Sequence, residues 1–237
     1  MKWTERYVTD SHDLDFNGVL SVTALSHYIQ ESANAQHRHL GPTLEELREK
    51  GTAFLLSRFS LSLSRAVLPY EKLRIETFTT ESRGYSFNRV ALVFSEEGQV
   101  GEASSVWAMV DIESRRPIRV ADSGCFFPPE DYQTPPPSRI IFPADMEFDA
   151  PISHRVGYGE CDLNMHMNNT RYANMLCDLL SMEGKYVSEF HIHYLNEAKY
   201  KDTLSLLHMK VGEKDLFRTL RSDGKVNVEA SMVLSNI

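Results

Sequence analysis

A proline-rich stretch divides this chain of 237 residues into two parts. Seven of its ten prolines lie between Cys125 and Ile152. Proline fixes φ and has no amide hydrogen to donate, so this stretch can neither join the interior of a sheet nor continue a helix. We therefore predict an extended linker over residues 126–151, with one domain before it (1–125) and another after it (152–237).

The two parts resemble each other in sequence. Three short motifs recur in the same order, at separations of 147, 131 and 127 positions. They are Asp15-x-Asn17 with Asp162-x-Asn164, Ser57-x-Phe59 with Ser188-x-Phe190, and Glu102-Ala103-Ser104 with Glu229-Ala230-Ser231. Three matches in one order indicate a duplicated unit. The separation falls by 16 positions after the first motif, which indicates an insertion in the first half; residues 41–50 fit it as a short helix.

Each half also shows the same order of elements. A short strand (3–8 and 152–156) leads into the D-x-N loop, and a helix follows. The first helix is expected to begin after an N-cap at Ser21 and to stop before Gly41. In the second half, Asn168 or Asn169 is the expected cap.

Strands are expected after each helix. Phe59, Leu61 and Leu63 alternate with serines, which is the period of two that a strand requires. An apolar helical stripe needs a sheet to cover it. The predicted fold class is therefore α+β, with an antiparallel sheet wrapped around a long central helix in each half and the two sheets joined side by side.

Composition excludes several classes of function. The net charge of −8 argues against a nucleic-acid partner. The three cysteines lack CxxC spacing, which argues against a disulfide framework or a structural zinc site. No apolar run approaches the roughly 20 residues that cross a bilayer, so no membrane insertion is expected. We expect a cytoplasmic protein.

The segment that carries chemistry runs from Asp162 to Tyr172. Asp162, Asn164 and His166 alternate, so in extended backbone their side chains point to the same side. The segment leads into a helix N-terminus, whose unsatisfied amides suit a developing oxyanion. A histidine can act as a general base near neutral pH, and a carboxylate can fix its tautomer.

The first half provides an internal control for this hypothesis. Asp and Asn before a helix are common as turn residues and caps, and the first half retains both as Asp15 and Asn17. It has Val19 where the second half has His166, so a shared loop geometry does not explain the histidine. One site per chain, in the second half, is the interpretation we favour.

Nearly the whole chain resembles the acyl-ACP thioesterase family, the bacterial relatives of the plant enzymes that end fatty-acid synthesis. The resemblance rests on motifs in both halves, namely D-x-N-G-x-x-S from Asp15, Leu56-Ser57-Arg58, Ala103-Ser104-Ser105-x-Trp107, and D-x-N-x-H-x-N-N-x-x-Y from Asp162 to Tyr172. It implies a tandem double hot-dog fold, with an acyl-binding first domain and a catalytic second domain.

The resemblance also implies the catalytic residues. They are Asp162, Asn164, His166 and, from a Y-x-x-E context that begins at Tyr194, Glu197. Plant members usually have cysteine after this glutamate; this chain has Ala198, which disfavours a cysteine nucleophile. We expect a His/Glu pair to activate water, with direct attack by a carboxylate as the alternative. No metal or other cofactor is required.

An apolar slot for the acyl chain is implied in the first domain. The candidate substrate-binding residues are Phe54, Leu55, Leu56, Trp107 and Met109, with Asn168 and Asn169 of the catalytic motif. For any single apolar residue of this set, a place in the core is the interpretation that we favour. The implied partner is acyl carrier protein bearing a 4′-phosphopantetheine acyl thioester. That partner is acidic, so docking needs local cations, for which Arg115, Arg116, Arg119, Lys199 and Lys201 are candidates.

Three alternatives stay open at this point. An acyl-CoA thioesterase would use the same chemistry on another carrier. A hot-dog hydratase or dehydratase would fit a D-x-x-P-x-H loop, which this chain lacks. A non-catalytic acyl-binding module would be expected to carry a DNA-binding segment and a basic face. The sequence also leaves a homodimer open.

Overall fold

The computed structural model describes residues 1–125, 127–145 and 147–237; Phe126 and Met146, both inside the predicted linker, lie outside the described residues. The described residues form three α-helices, α1 (Val22–Leu40), α2 (Leu44–Glu49) and α3 (Arg171–Cys177). They also form eleven strands, β1 (Trp3–Val8), β2 (Thr52–Leu63), β3 (Lys72–Thr79), β4 (Phe87–Ser95), β5 (Gly98–Asp111), β6 (Pro117–Ile118), β7 (Ile152–Arg155), β8 (Lys185–Tyr194), β9 (Thr203–Val211), β10 (Lys214–Arg221) and β11 (Val226–Asn236).

Helix α1 has the ends that the sequence predicts. The Ser21 hydroxyl accepts a hydrogen bond from the Ala24 amide at 3.1 Å, which satisfies one of the free donors of the first turn. At the other end Gly41 adopts a φ of 144° and donates its amide to the His37 carbonyl. The stripe of Leu25, Ile29 and neighbouring residues is buried against the sheet.

All strands belong to one antiparallel sheet. Its order is β1-β3-β4-β5-β2-β8-β11-β10-β9-β7, with β6 paired to β5. Strands of the first half occupy one side and strands of the second half the other, so the β2–β8 pair joins them. A hydrophobic core with members from both halves lies against this sheet.

The register of β2 with β8 agrees with the sequence repeat. Ser60 pairs with His191, 131 positions away, which is the separation of the second repeated motif. At this separation Arg58 is equivalent to Glu189, and Ser62 to His193. Arg58 pairs with His193 and Ser62 pairs with Glu189, so exchanging the two halves turns one pair into the other. A strand pair of this kind is what a local twofold axis produces. The register therefore supports a duplication by evidence that is independent of the motifs.

The prediction of a long central helix is wrong for the second half. Helix α3 has 7 residues against 19 in α1, and its N-cap is Thr170 rather than Asn168 or Asn169. The Asn168 side chain instead accepts the Thr170 amide at 3.0 Å and orders the turn before the helix.

A side chain from the first half holds the turn that follows α3. The Asn17 amide donates to the carbonyls of Met182 and Lys185, at 2.8 and 3.0 Å, and its oxygen accepts the Gly184 amide at 2.9 Å. Gly184 has a φ of 69°, a conformation that a helix cannot include. Residues that could have extended α3 are therefore fixed in a turn.

The proline-rich segment lies along the sheet. Of its residues that the structure describes, none belongs to a helix or a strand. It is held at several points, where the Glu130 amide donates to Thr79, Arg58 donates to the Pro137 carbonyl, and the Asp149 amide donates to His208. Among the described residues, no helix combines the length and apolar character needed to cross a bilayer.

We predict that Asn17→Ala lowers the free energy of unfolding by about 2–3 kcal/mol, because it removes three hydrogen bonds to backbone groups of the other half. Urea unfolding measures this loss. The matched control is Asn164→Ala at the equivalent loop position, where the side chain forms hydrogen bonds, among the residues that the structure describes, only with the side chains of Arg48 and Asp162. Equal losses in the two variants would contradict the tethering role of Asn17.

Candidate active site

A tight loop presents the D-x-N-x-H motif. One oxygen of the Asp162 carboxylate accepts the amides of Asn164 and His166, at 2.8 and 3.2 Å. The Asp162 amide donates to the His166 carbonyl at 2.8 Å, and Met165 has a φ of 61°. The carboxylate therefore fixes the loop backbone, and with it the position from which the imidazole extends.

The first half contains the same loop without the histidine. The Asp15 carboxylate accepts the amides of Asn17 and Val19 at 2.9 and 3.4 Å, and the Asp15 amide donates to the Val19 carbonyl. Gly18 takes the left-handed position at a φ of 75°. Loop geometry thus accounts for the aspartate in both halves, whereas His166 has no such structural counterpart.

The backbone after β8 brings His166 next to Glu197. The Met167 amide donates to Ala198 and the Tyr200 amide to Met165, so the loop runs beside residues 198–200. As a result the imidazole Nδ1 lies 3.6 Å from a carboxylate oxygen of Glu197. The side chains are 20% and 32% exposed, so they are shielded but still reachable by solvent and substrate.

The first half contributes two arginines to this site. Arg115, with a φ of 60°, donates to both oxygens of Glu197 at 3.0 and 3.2 Å. Arg48 on α2 donates to the Asn164 side chain at 3.2 Å. The sequence placed Arg115 among the docking cations and did not single out Arg48; the signal for Arg48 was the insertion that contains α2. The site therefore lies between the two halves.

The expected oxyanion donors at the start of the helix are largely occupied. Asn168 accepts the amide of Thr170 through its side chain and that of Arg171 through its carbonyl. The Met167 and Asn168 amides donate to Ala198 and Glu160. The Asn169 amide has no acceptor in the part of the chain that the structure describes, so it is a free donor on the helix side of His166.

A narrow slot lies between α1 and the sheet. Of the predicted substrate-binding residues, Leu56, Trp107 and Asn169 line it, and its volume is about 30 Å³. Tyr194 also lines it and donates its hydroxyl to the Asn169 carbonyl at 2.8 Å. We call the end at Asn169 and Tyr194 the mouth. These residues are three positions from His166 and Glu197 respectively, so this is the end of the slot that is nearer in sequence to the candidate catalytic pair.

The other predicted slot residues lie elsewhere. Phe54 on β2 pairs with Met109 on β5, two residues along the strands from the pair of Leu56 and Trp107. Phe54 and Met109 pack in a separate cluster with Leu47 of α2. Leu47 of the inserted helix is buried in this cluster, and neither Phe54 nor Met109 lines the slot. Leu55 is 39% exposed, and the Asn168 side chain is engaged in the turn before α3.

Cys161 is unsuited to nucleophilic attack. Burial, with the nearby charges of Asp162 and Glu160, raises the pKa of its thiol. Its sulfur donates to the Gly157 carbonyl at 3.4 Å. Because the thiolate is the reactive form, a raised pKa keeps this side chain unreactive near neutral pH.

A groove of about 460 Å³ occupies the position that the local twofold relates to the candidate site. It is lined by Asp15 and by Ala66, which stands 131 positions before Glu197. Val19 replaces the histidine. The groove therefore keeps the loop scaffold but has no histidine at the position of His166 and no carboxylate at the position of Glu197.

Two family models together match most of this chain. Residues 1–125 match the acyl-ACP thioesterase N-terminal domain and residues 146–233 the corresponding C-terminal domain. A chloroplastic oleoyl-acyl carrier protein thioesterase of Coriandrum sativum is 20% identical over 233 residues, covering 87% of this chain; the chain spans 62% of that relative's length.

Two solved structures share the fold. An acyl-ACP thioesterase of Bacteroides thetaiotaomicron is 24% identical, with a TM-score of 0.84 over 99% of this chain and 98% of that one. A 12:0-ACP thioesterase of Umbellularia californica is 16% identical, with a TM-score of 0.84 over 100% and 98% of the two chains. The large antiparallel sheet with few helices is a hot-dog fold.

We predict that alkylation of Cys161 by iodoacetamide is at least about tenfold faster at pH 9 than at pH 7. The raised pKa keeps the thiol protonated at neutral pH, and the thiolate fraction grows as the pH rises towards that pKa. Mass spectrometry of the labelled peptides separates Cys161 from the other two cysteines. Equal rates at both pH values would mean an ionised thiol and would reopen a cysteine mechanism.

Proposed function

The chain belongs to the acyl-ACP thioesterase family, and we propose that it hydrolyses long- or medium-chain fatty acyl-ACP to free fatty acid and holo-ACP. The observation that carries the proposal is the 3.6 Å approach of the His166 imidazole to the Glu197 carboxylate. This pair lies near in sequence to the residues at the mouth of a slot lined by both halves. A base and a carboxylate beside such a slot suit the hydrolysis of an acyl thioester.

In the proposed mechanism His166 is the general base. Glu197 faces Nδ1, which fixes the tautomer and leaves Nε2 to accept a proton from water. The resulting hydroxide attacks the thioester carbonyl, and the free Asn169 amide stabilises the oxyanion. The carbon–sulfur bond then breaks, and the pantetheine thiolate takes the proton from the imidazolium. Water is consumed, and a carboxylic acid and a thiol are released.

Asp162, Asn164 and Arg115 are proposed as positioning residues. Asp162 holds the His166 amide, and Asn164 links that loop to α2 through Arg48. Arg115 contacts both oxygens of Glu197 and so orients the carboxylate towards the imidazole. Arg115 is 61% exposed, so this ion pair is screened by salt and can open when a substrate arrives.

Acyl carrier protein is the carrier that we propose. Two exposed cations lie at the catalytic pair, since Arg115 contacts Glu197 and Lys199 forms a backbone bridge with His166. Arg116, Arg119 and Lys201 are exposed and close to them in sequence. A cationic rim beside the mouth attracts an acidic carrier despite the net negative charge of the chain. Acyl-CoA is the competing carrier.

We also propose that each half is one unit of a tandem double hot-dog, with residues 1–125 binding the acyl chain and residues 152–237 carrying the catalytic residues. The self-complementary β2–β8 register supports two related units. The distribution of side chains supports the division of labour, because the slot lies under α1 while His166 and Glu197 belong to the second half.

We expect His166→Ala and Glu197→Gln each to lower kcat by about a hundredfold or more, since a positioned acid–base group contributes at least that much. Release of free acid from acyl-ACP measures the loss, and the same acyl group on CoA is expected to show a higher KM.

The matched control is His12→Ala, an exposed histidine beside the twofold-related groove, which is expected to retain full turnover. Circular dichroism excludes unfolding as the cause of any loss. Near-normal turnover by a folded His166→Ala variant would overturn the proposed mechanism.

A further inference from the structure

A buried polar cluster lies next to the bend that carries Glu197. Asn227 on β11 is fully buried, and its side-chain amide donates to the Asn196 carbonyl and, at 3.0 Å, to the Tyr172 hydroxyl. The side-chain oxygen of Asn227 accepts the Thr219 hydroxyl at 2.9 Å. Tyr172 and Thr219 are buried as well. We call Tyr172, Thr219 and Asn227 the polar cluster.

Two side chains hold the peptide groups on either side of Glu197. Residues 195–197 follow β8 and lie outside any strand or helix, so a ladder of backbone hydrogen bonds does not position them. The Asn227 amide binds the carbonyl of Asn196, which belongs to the peptide before Glu197. Nη1 of Arg221 donates to the carbonyl of Glu197 itself, in the peptide after it, at 2.9 Å. These two bonds fix the point from which the carboxylate extends.

The first half has the same bend without the polar cluster. The ladder of β10 and β11 skips Asn227, and the ladder of β4 and β5 skips Val100, 127 positions earlier. The Asn227 carbonyl accepts the Leu195 amide at 2.9 Å, as the Val100 carbonyl accepts the Ser64 amide at 3.0 Å. Both halves therefore contain the same β-bulge, and its backbone ends the preceding strand in the same way. The asparagine side chain is not needed for that backbone.

The other two members of the polar cluster also stand where the first half has apolar residues. Tyr172 lies 147 positions after Leu25, and Thr219 lies opposite the bulge as Val93 does in β4. Leu25, Val93 and Val100 are all buried, so the fold is satisfied by hydrocarbon at these positions. Burying polar groups costs free energy unless they are hydrogen-bonded. The polar set belongs to the half that carries Glu197, which points to a role at the site.

The polar cluster also contacts the residues that hold the proposed oxyanion donor. The rings of Tyr172 and Tyr194 pack edge to face with their centroids 5.6 Å apart. The Tyr194 hydroxyl donates to the Asn169 carbonyl at 2.8 Å. Asn227 thus connects the peptide before Glu197 to the start of α3 through one buried side chain. A fully satisfied buried network of this kind is rigid.

We propose that Asn227 is a positioning residue that acts through Glu197, with Arg221 in the same role on the following peptide. This inference rests on the proposed function, since it takes Glu197 as a catalytic group. The two bonds keep the carboxylate within reach of the His166 imidazole. A misplacement of about 1 Å can cost about a hundredfold in rate.

Asn227→Val gives the second bulge the side chain of the first and tests the inference. It is expected to lower kcat for acyl-ACP at least about tenfold and to leave KM within about twofold, because the acyl slot is unchanged. In the Glu197→Gln background the same change is expected to alter kcat by no more than about twofold, since residues that act through one group are not additive. A kcat unchanged by Asn227→Val, or an equal loss in both backgrounds, overturns the inference.

The matched control is Thr9→Val, which also removes a fully buried side chain from two hydrogen bonds to backbone. The Thr9 hydroxyl donates to the Leu68 carbonyl at 2.8 Å and accepts the Glu71 amide at 2.9 Å, in a loop of the first half. Thr9→Val is expected to lower stability towards urea and to keep kcat. A loss of kcat in this control as large as in Asn227→Val would assign both effects to stability and would refute the positioning role.

Arg221→Met decides the matter if Asn227→Val does not fold. Arg221 is partly exposed, so its replacement leaves the core intact. This variant is expected to lower kcat at least about threefold with KM unchanged, and to have no such effect in the Glu197→Gln background. A wild-type kcat, or the same loss in both backgrounds, counts against the inference.

The same set of variants separates this inference from the proposed function. A slow Glu197→Gln variant with normal kcat in Asn227→Val and Arg221→Met refutes the inference alone. A wild-type protein that hydrolyses no acyl-ACP, or a Glu197→Gln variant with full kcat, refutes the proposed function and its mechanism, and the positioning role with them.

Discussion

The pairing of β2 with β8 is the interaction on which the rest of the structure depends. It fuses the strands of both halves into one sheet and fixes their register, with Ser60 opposite His191. This register determines which face of β8 lines the slot. It also brings the arginines of the first half close to the loop of the second half. A shift by one residue would turn every side chain of β8 to the other face and separate the slot from the loop.

Divergence of the two halves explains why a single site results. Both keep an aspartate that closes the same loop, so the scaffold did not need to change. The second half has His166 and Glu197 at positions where the first has Val19 and Ala66. The first half has the long helix, under which small residues leave room for a slot. In the second half the short helix is followed by a turn that Asn17 holds, so each half supplies what the other lacks.

Features set by local physics were predictable from the sequence, and features set by distant contacts were not. Ser21 and Gly41 act on their own helix, so the ends of α1 could be deduced. The length of α3 depends on contacts with Asn17, some 165 residues away. The pairing of Arg115 with Glu197 spans 82 residues and needs the completed sheet. The resemblance to the family implied that His166 and Glu197 act together. The alternation of residues in the motif predicted only that the His166 side chain points to the same side of the loop as Asp162 and Asn164.

The central claim is that His166 and Glu197 act as one unit on a single thioester carbonyl, and a double-mutant cycle tests it most directly. The single-turnover rate constant for acyl-ACP hydrolysis is measured for His166→Ala, Glu197→Gln and the combined variant. Groups that act as a unit are not additive, so we predict that the combined variant is slower than the worse single variant by no more than about threefold. Losses that multiply would show that the two side chains act independently and would contradict this account.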